Sequence, residues 1–113
     1  MNLKLVASTA LLCSLSLPAM ASEALSAKIT AVKIDGDNLL VKLNKPMTGY
    51  KPGCVTSDFQ WAIYHPSSVS KKQELKKELV MFAYKNGKTV DIYSGGACSA
   101  GSNSQVLGKI TVR

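Results

Sequence analysis

Cys54 and Cys98 carry the clearest covalent chemistry of this chain, because two thiols can form either a structural disulfide or a redox centre. Neither cysteine belongs to a CxxC motif, the spacing typical of redox-active thiols. We therefore predict a structural Cys54–Cys98 disulfide. Such a bridge would stabilise a small domain by about 4 kcal/mol on the chain-entropy estimate.

Residues 1–21 have the features of a secretory signal peptide, which would carry both cysteines into an oxidising compartment. Lys4 supplies the positive charge, Leu5 to Leu17 the apolar stretch, and Ala19-Met20-Ala21 the small residues of a cleavage site. The apolar stretch is too short to predict a membrane span. We predict cleavage after Ala21, loss of the third cysteine, Cys13, with the peptide, and a periplasmic or secreted protein.

The other chemistry-bearing residues do not form a catalytic pattern. His65 is the single histidine and has no carboxylate beside it in the sequence, so a Ser-His-Asp arrangement has no local support. Ser68 and Lys71 have the S-x-x-K spacing of serine acyl-enzymes, but the companion motifs are absent. The run Asp35-Gly36-Asp37-Asn38 lacks the distal Glu of a calcium loop. We predict no catalytic residue, no metal site and no cofactor.

Charge indicates the kind of partner. The chain has 14 Lys and Arg against seven Asp and Glu, a net charge of +7, and removal of Lys4 with the signal peptide would leave +6. This balance favours acidic partners, namely lipopolysaccharide, sialylated glycans, membrane surfaces or nucleic acid, although lysines also occur simply as solvated surface residues. The chain after Ala21 is long enough for one domain.

Alternation of apolar and polar residues predicts five strands. They are Ile29–Ile34, Leu39–Leu43, Phe59–Tyr64, Thr89–Tyr93 and Gln105–Val112. Asp35-Gly36-Asp37-Asn38 should form a hairpin turn between the first two, and residues 44–58 a loop rich in Pro and Gly. The strand side chains expected in the core are Leu39, Val41, Leu43, Phe59, Trp61, Ile63, Val90, Ile92, Val106, Ile110 and Val112. Gly108 is expected at a bend.

One helix is predicted between the third and fourth strands. Ser70 and Gln73 form a capping box at its start, and Asn86-Gly87 ends it. The residues expected on its buried face are Leu75, Leu79, Phe82 and Ala83. The opposite face would be basic, with Lys71, Lys72, Lys76 and Lys77.

The predicted order β-β-β-α-β-β is that of the OB-fold, a five-stranded barrel with a helix at one end. We therefore predict a mainly β protein with one helix, in which residues 28–113 form an OB-fold-like domain. Residues 22–27 would be an N-terminal arm.

Several motifs also resemble a family of secreted proteins. Cys54 and Trp61 have six residues between them, and after the helix Gly87-Lys88-Thr89-Val90-Asp91-Ile92 leads to Gly95-Gly96-Ala97-Cys98. This layout, over Ile29 to Val112, resembles the binding subunits of subtilase-type, typhoid-type and pertussis-type toxins. The resemblance implies a non-enzymatic domain that forms a ring, often a pentamer, and recognises glycans. A monomeric periplasmic inhibitor or binding protein is the alternative.

A glycan-binding surface would combine aromatic rings with hydrogen-bonding groups on the barrel side and its loops. The candidate residues are Tyr50, Lys51, Tyr64, His65 and Tyr93. Apolar residues out of phase with the core would serve ring formation, and the candidates are Ile29, Leu40, Tyr50 and Tyr93. Nucleic acid is the less favoured partner, since the outer face of strands two and three offers one aromatic ring, Tyr64, for base stacking.

Overall fold

The structure is a computed structural model and describes residues 22–66 and 70–113. The predicted signal peptide, including Cys13, and Ser68 of the S-x-x-K spacing lie outside the described residues. The described part of the chain is mainly β with one helix. Its elements are β1 (Ser22–Asp35), β2 (Asn38–Leu43), β3 (Thr48–Gly49), β4 (Gln60–Tyr64), α1 (Lys71–Asn86), β5 (Thr89–Cys98) and β6 (Gln105–Val112). Over these two ranges no helix is long and apolar enough to cross a membrane.

The strands are joined in a closed ring of hydrogen bonds. β1 pairs with β2, β2 with β4, β4 with β6, β6 with β5, and β5 again with β1; the β4–β6 pair is parallel and the others are antiparallel. The ring closes because β1 is long enough to pair with β5 through residues 23–28 and with β2 through residues 29–35. Between Ala24 and Ala27 the register shifts, and Ser26 adopts a positive φ of 52° at this irregularity.

Two features of this ring were not predicted. Residues 22–27, which the sequence predicted as an arm, are the first part of β1. The short strand β3 lies in the predicted loop and pairs with Ser22 and Glu23 at the start of β1.

The predicted hairpin turn joins β1 to β2. Asp35 pairs with Asn38, which leaves Gly36 and Asp37 as the two turn residues. Gly36 has φ 63°, the backbone conformation that type II′ turns need at their first central position and that glycine adopts without steric cost.

The core lies inside the ring and against one face of α1. Its fully buried members include Val41, Leu43, Trp61, Ile63, Val80, Ala83, Val90, Ile92 and Leu107. The prediction for Phe59 was wrong: its side chain is 38% exposed. The chain turns at Asp58 and Phe59 before β4 begins, so the alternation of that strand does not extend back to Phe59.

The predicted phase of β6 was wrong at its start. Leu107 is buried in the core and Val106 is only half-buried, whereas Ile110 and Val112 pack against the core as expected. The reason is an extra residue at Gly108: Tyr93 of β5 pairs with Lys109 and the next residue, Ser94, pairs with Leu107. This bulge reverses the faces of β6 on its two sides.

Helix α1 begins and ends as predicted. The Ser70 hydroxyl accepts a hydrogen bond from the backbone N–H of Gln73 at 3.3 Å, and Gly87 ends the helix in a left-handed conformation with φ 60°. The side chain of Gln73 does not complete a capping box: its Nε2 donates to the carbonyl oxygen of Tyr64 at 2.6 Å.

The predicted buried face of α1 was wrong except for Ala83. Val80 and Ala83 are the residues of α1 that are buried against the ring of strands, and Leu75, Leu79 and Phe82 are exposed. These three residues lie on a different face of the helix from Val80, so α1 packs on the ring of strands through smaller side chains than the apolar pattern indicated.

The predicted disulfide is confirmed. Cys54, in the loop before β4, is bonded to Cys98 at the end of β5, and their Cα atoms are 6.4 Å apart. The bridge fastens the long loop after β3 to the strand ring.

Candidate functional site

The loop between β5 and β6, residues 99–104, lies along the outer face of β2 and β4. Asn38 of β2 donates through Nδ2 to the carbonyl oxygen of Ala100 at 2.9 Å, and the Ser99 hydroxyl donates to Asn38 Oδ1. Gln60 of β4 donates through Nε2 to the Ser104 hydroxyl at 2.7 Å. The loop is therefore held on the sheet at both ends.

This placement explains why the sequence analysis was also wrong about Leu40. Leu40 and Ala62 alternate with core residues and lie on the outer face, yet both are buried without belonging to the core cluster. We attribute their burial to the loop that bonds Asn38 and Gln60 on either side of them. Leu40 is consequently unavailable for a contact between copies of the chain. The same is true of Ile29, which is buried in the core.

A cleft of about 280 Å³ remains between this loop, the β1–β2 turn and the end of β4. Its lining residues are Asp35, Gly36, Asp37, Asn38, Tyr64, Ala100 and Gly101. Tyr64, whose side chain is 36% exposed, supplies the aromatic ring of the cleft. Asp35 and Asp37 supply carboxylates, although the chain as a whole is basic.

The walls of the cleft are tied together by backbone hydrogen bonds. Tyr64 pairs with Asn38 in the sheet, and the N–H of His65 donates to the carbonyl oxygen of Asp37 at 2.6 Å. The carbonyl oxygen of Tyr64 also accepts a hydrogen bond from the side chain of Gln73, in the first turn of α1. Tyr64 is thus held in place by β2 and by α1.

His65 does not share the Tyr64 cleft. It lines a smaller cleft of about 160 Å³ with Ile34, Leu39 and Lys77, and this cleft shares Gly36, Asp37 and Asn38 with the Tyr64 cleft. The His65 Nε2 atom is buried and has no hydrogen-bond partner among the described residues.

The other three predicted site residues lie elsewhere. Tyr93 belongs to a row across four strands, in which Lys109, Tyr93, Glu23 and Thr48 are neighbours. The Nζ atom of Lys109 lies 4.5 Å from the centroid of the Tyr93 ring, a cation–π contact. Tyr50 is exposed in the segment that follows β3.

Lys51 forms a surface ion pair. Its Nζ lies 2.9 Å from Oδ2 of Asp58, and both side chains are partly exposed. Such a pair contributes little to stability, and its side chain can exchange this partner for another.

The structure therefore divides the predicted site into separate areas. Tyr64 and His65 flank the β1–β2 turn, and Tyr50, Lys51 and Tyr93 are not among the residues that line either cleft beside it. Sequence reasoning missed Asp35, Asp37 and Gly101 as site residues. Asp35 and Asp37 were considered only as part of a calcium loop or of a hairpin turn, and turn composition does not show that two turns meet.

Lys76 and Asp91, whose pKa values are shifted, do not line the cleft. Partial burial, and secondarily the charge of Lys72, lower the pKa of Lys76, whose Nζ donates to the carbonyl oxygen of Leu107 at 3.2 Å. The pKa of Asp91 is lowered by the N–H of Ser26 and then by Arg113. In residues 22–66 and 70–113, no three His, Cys, Asp or Glu side chains are grouped as a metal site.

No family model matches this chain, and no curated protein is detectably similar to it in sequence.

Proposed function

We propose that this protein is an exported, non-enzymatic binding module built on an OB-fold barrel. The support for the barrel is the strand order around the ring together with the parallel β4–β6 pair and the position of α1 between β4 and β5. The support for export is the Cys54–Cys98 disulfide, since structural disulfides persist in oxidising compartments.

The proposed ligand is a glycan, and the proposed site is the cleft beside Tyr64. One observation carries this proposal: an exposed tyrosine ring and two aspartates line a single concave site formed by two loops and a strand end. In OB-folds, the loop between the first two strands and the loop between the last two bind oligosaccharides or oligonucleotides. The β1–β2 turn and the loop over 99–104 correspond to these two loops.

The chemistry of the cleft favours a sugar over a nucleic acid. The apolar face of a pyranose ring can pack on Tyr64, and the carboxylates of Asp35 and Asp37 can accept hydrogen bonds from its hydroxyl groups. The same carboxylates would repel phosphates and the acid group of a sialylated glycan. We therefore propose a neutral or amino-bearing sugar as the ligand at this site.

Glycan-array binding of the purified protein tests the proposal. We expect Tyr64→Ala and Asp37→Asn each to weaken binding, because the first removes the ring and the second a charged acceptor. Tyr93→Ala is the matched control, since it removes a tyrosine outside the cleft. Normal binding by Tyr64→Ala, or loss of binding in Tyr93→Ala alone, would place the ligand elsewhere.

A ring like that of the toxin binding subunits is the sharper form of this proposal, and a monomeric binding protein is the alternative. Of the four residues considered for contacts between copies, Tyr50 is exposed and Tyr93 is half-buried, whereas Ile29 and Leu40 are buried. Light scattering on the purified protein separates the two forms: a ring has several times the mass of one chain.

A further inference from the structure

The outward face of α1 carries an apolar stripe. Leu75, Leu79 and Phe82 are 54%, 41% and 49% exposed, and their spacing of four and three residues aligns them along one face of the helix. Val80 and Ala83 occupy the face that packs on the strand ring. The stripe therefore points away from the barrel, where stability of the fold does not require apolar side chains.

Lysines border the stripe. α1 contains five lysines and two glutamates, and Lys71 and Lys72 lie one turn before Leu75 while Lys85 lies one turn after Phe82. All three of these lysines are exposed. A long lysine side chain can lay its methylene groups beside an apolar surface and keep its ammonium group at the polar boundary.

We propose that this face of α1 binds the surface of an anionic lipid bilayer. Leu75, Leu79 and Phe82 would enter the boundary between headgroups and acyl chains, and the bordering lysines would contact the phosphates. A helix of 16 residues is about 24 Å long, which allows both ends of the stripe to reach the surface when α1 lies parallel to it.

Charge decides between a bilayer and a second copy of the chain as the partner of this face. Two copies would bring two basic faces together on chains that each carry a net positive charge, whereas anionic headgroups neutralise the same lysines. The stripe is also the outer face of a single helix. A deformable lipid interface can cover such a face without presenting a groove that matches it.

This proposal is independent of glycan binding. The residues that line the Tyr64 cleft all lie outside α1, so variants of the stripe leave that cleft unchanged.

Vesicle flotation tests the proposal with the purified protein and four variants. The probes are vesicles of phosphatidylcholine alone and vesicles that also contain phosphatidylglycerol. The stripe variant combines Leu75→Gln, Leu79→Gln and Phe82→Gln, and the lysine variant combines Lys71→Gln, Lys72→Gln and Lys85→Gln. A matched control combines Leu25→Gln and Phe59→Gln, two exposed apolar residues outside α1. Tyr64→Ala serves as a second control because it alters the cleft.

We expect the protein and both controls to float with the phosphatidylglycerol vesicles and to remain unbound by phosphatidylcholine alone. The stripe variant and the lysine variant should each bind at least about tenfold more weakly, and added salt should weaken the binding of the unmodified protein. Circular dichroism and the emission of the buried Trp61 verify that each variant is folded.

Three results would overturn the proposal. The first is absence of binding to phosphatidylglycerol vesicles. The second is a stripe variant that floats like the unmodified protein, which would leave charge as the only attraction. The third is a stripe variant whose mass in solution falls while its flotation is unchanged, which would assign the stripe to contacts between copies of the chain.

Discussion

Gly95 of β5 and Gly108 of β6 lie against each other across the sheet. The backbone of β5 leaves no room for a side chain on Gly108. A Cβ atom on Gly108 would lie 2.7 Å from both the Cα and the backbone nitrogen of Gly95. This approach occurs at the bulge of β6, where the strand changes the face that it turns to the core. The two strands can keep this register because neither position carries a side chain.

Substitution Gly108→Ala should therefore destabilise the protein by about 1–3 kcal/mol, because backbone atoms must move to admit the methyl group. Urea unfolding followed by Trp61 emission measures this loss. Gly53→Ala is the matched control: a Cβ atom there meets nothing within 4 Å, and we expect little change or a small gain in stability. Equal unfolding midpoints for the two variants would show that the strands adjust without cost.

Loss of the disulfide should cost about 2–5 kcal/mol of unfolding free energy. The test is the double variant Cys54→Ser with Cys98→Ser, which avoids leaving a reactive free thiol. Reduction of the unmodified protein should lower its unfolding midpoint to near that of the variant. Two free thiols in protein purified from the exported fraction would contradict the proposed structural role.

Trp61, the chain's single tryptophan, is fully buried, and its Nε1 has no hydrogen-bond partner among the described residues. Trp61→Ala should cost about 3–5 kcal/mol because it leaves a large cavity in the core. Trp61→Phe should cost less, since it keeps most of the apolar contact and removes an N–H group without a partner. Native emission at the wavelength of a water-exposed tryptophan would contradict the buried position.

The hydrogen bonds of the Asp91 carboxylate should make the stability of the protein depend on pH. Its Oδ1 accepts hydrogen bonds from the N–H of Ser26 at 2.8 Å and from Nη2 of Arg113 at 2.6 Å, and these contacts lower the pKa of Asp91. The unfolded chain therefore binds this proton more tightly than the native protein does. The stabilisation is present above about pH 4, the ordinary range of an aspartate, and is lost as the pH falls through the lower native pKa.

Substitution Asp91→Asn should lower the unfolding free energy near neutral pH and make it fall less steeply on acidification below about pH 4. Urea midpoints measured across this range test the expectation. Arg113→Gln should give part of the same effect, because it removes one of the two partners. Parallel curves for the unmodified protein and Asp91→Asn would exclude Asp91 as a source of the acid sensitivity.

Local chemistry allowed much of the fold to be predicted. Ser70 and Gly87 bound the helix as predicted because caps act on the nearest turn of backbone. The turn at Gly36 and the burial of Trp61 and Ile63 depend in the same way on short-range conformation and alternation. The errors lie where contact with a neighbouring element changes which side chains are buried. The bulge at Gly108 reversed the phase of β6 at Val106, and the loop over 99–104 covers the outer face that carries Leu40.

The sequence by itself determined the basic charge, the hairpin turn and the helix ends, because each depends on residue type and on neighbours a few positions away. Only the tertiary structure decided that Tyr64 shares a cleft with Asp35 and Asp37, and that Leu75, Leu79 and Phe82 point away from the ring of strands. Helical spacing shows which side chains share a face but not which face the strands cover. That choice depends on the whole packed surface, where Val80 and Ala83 fit against the strand ring.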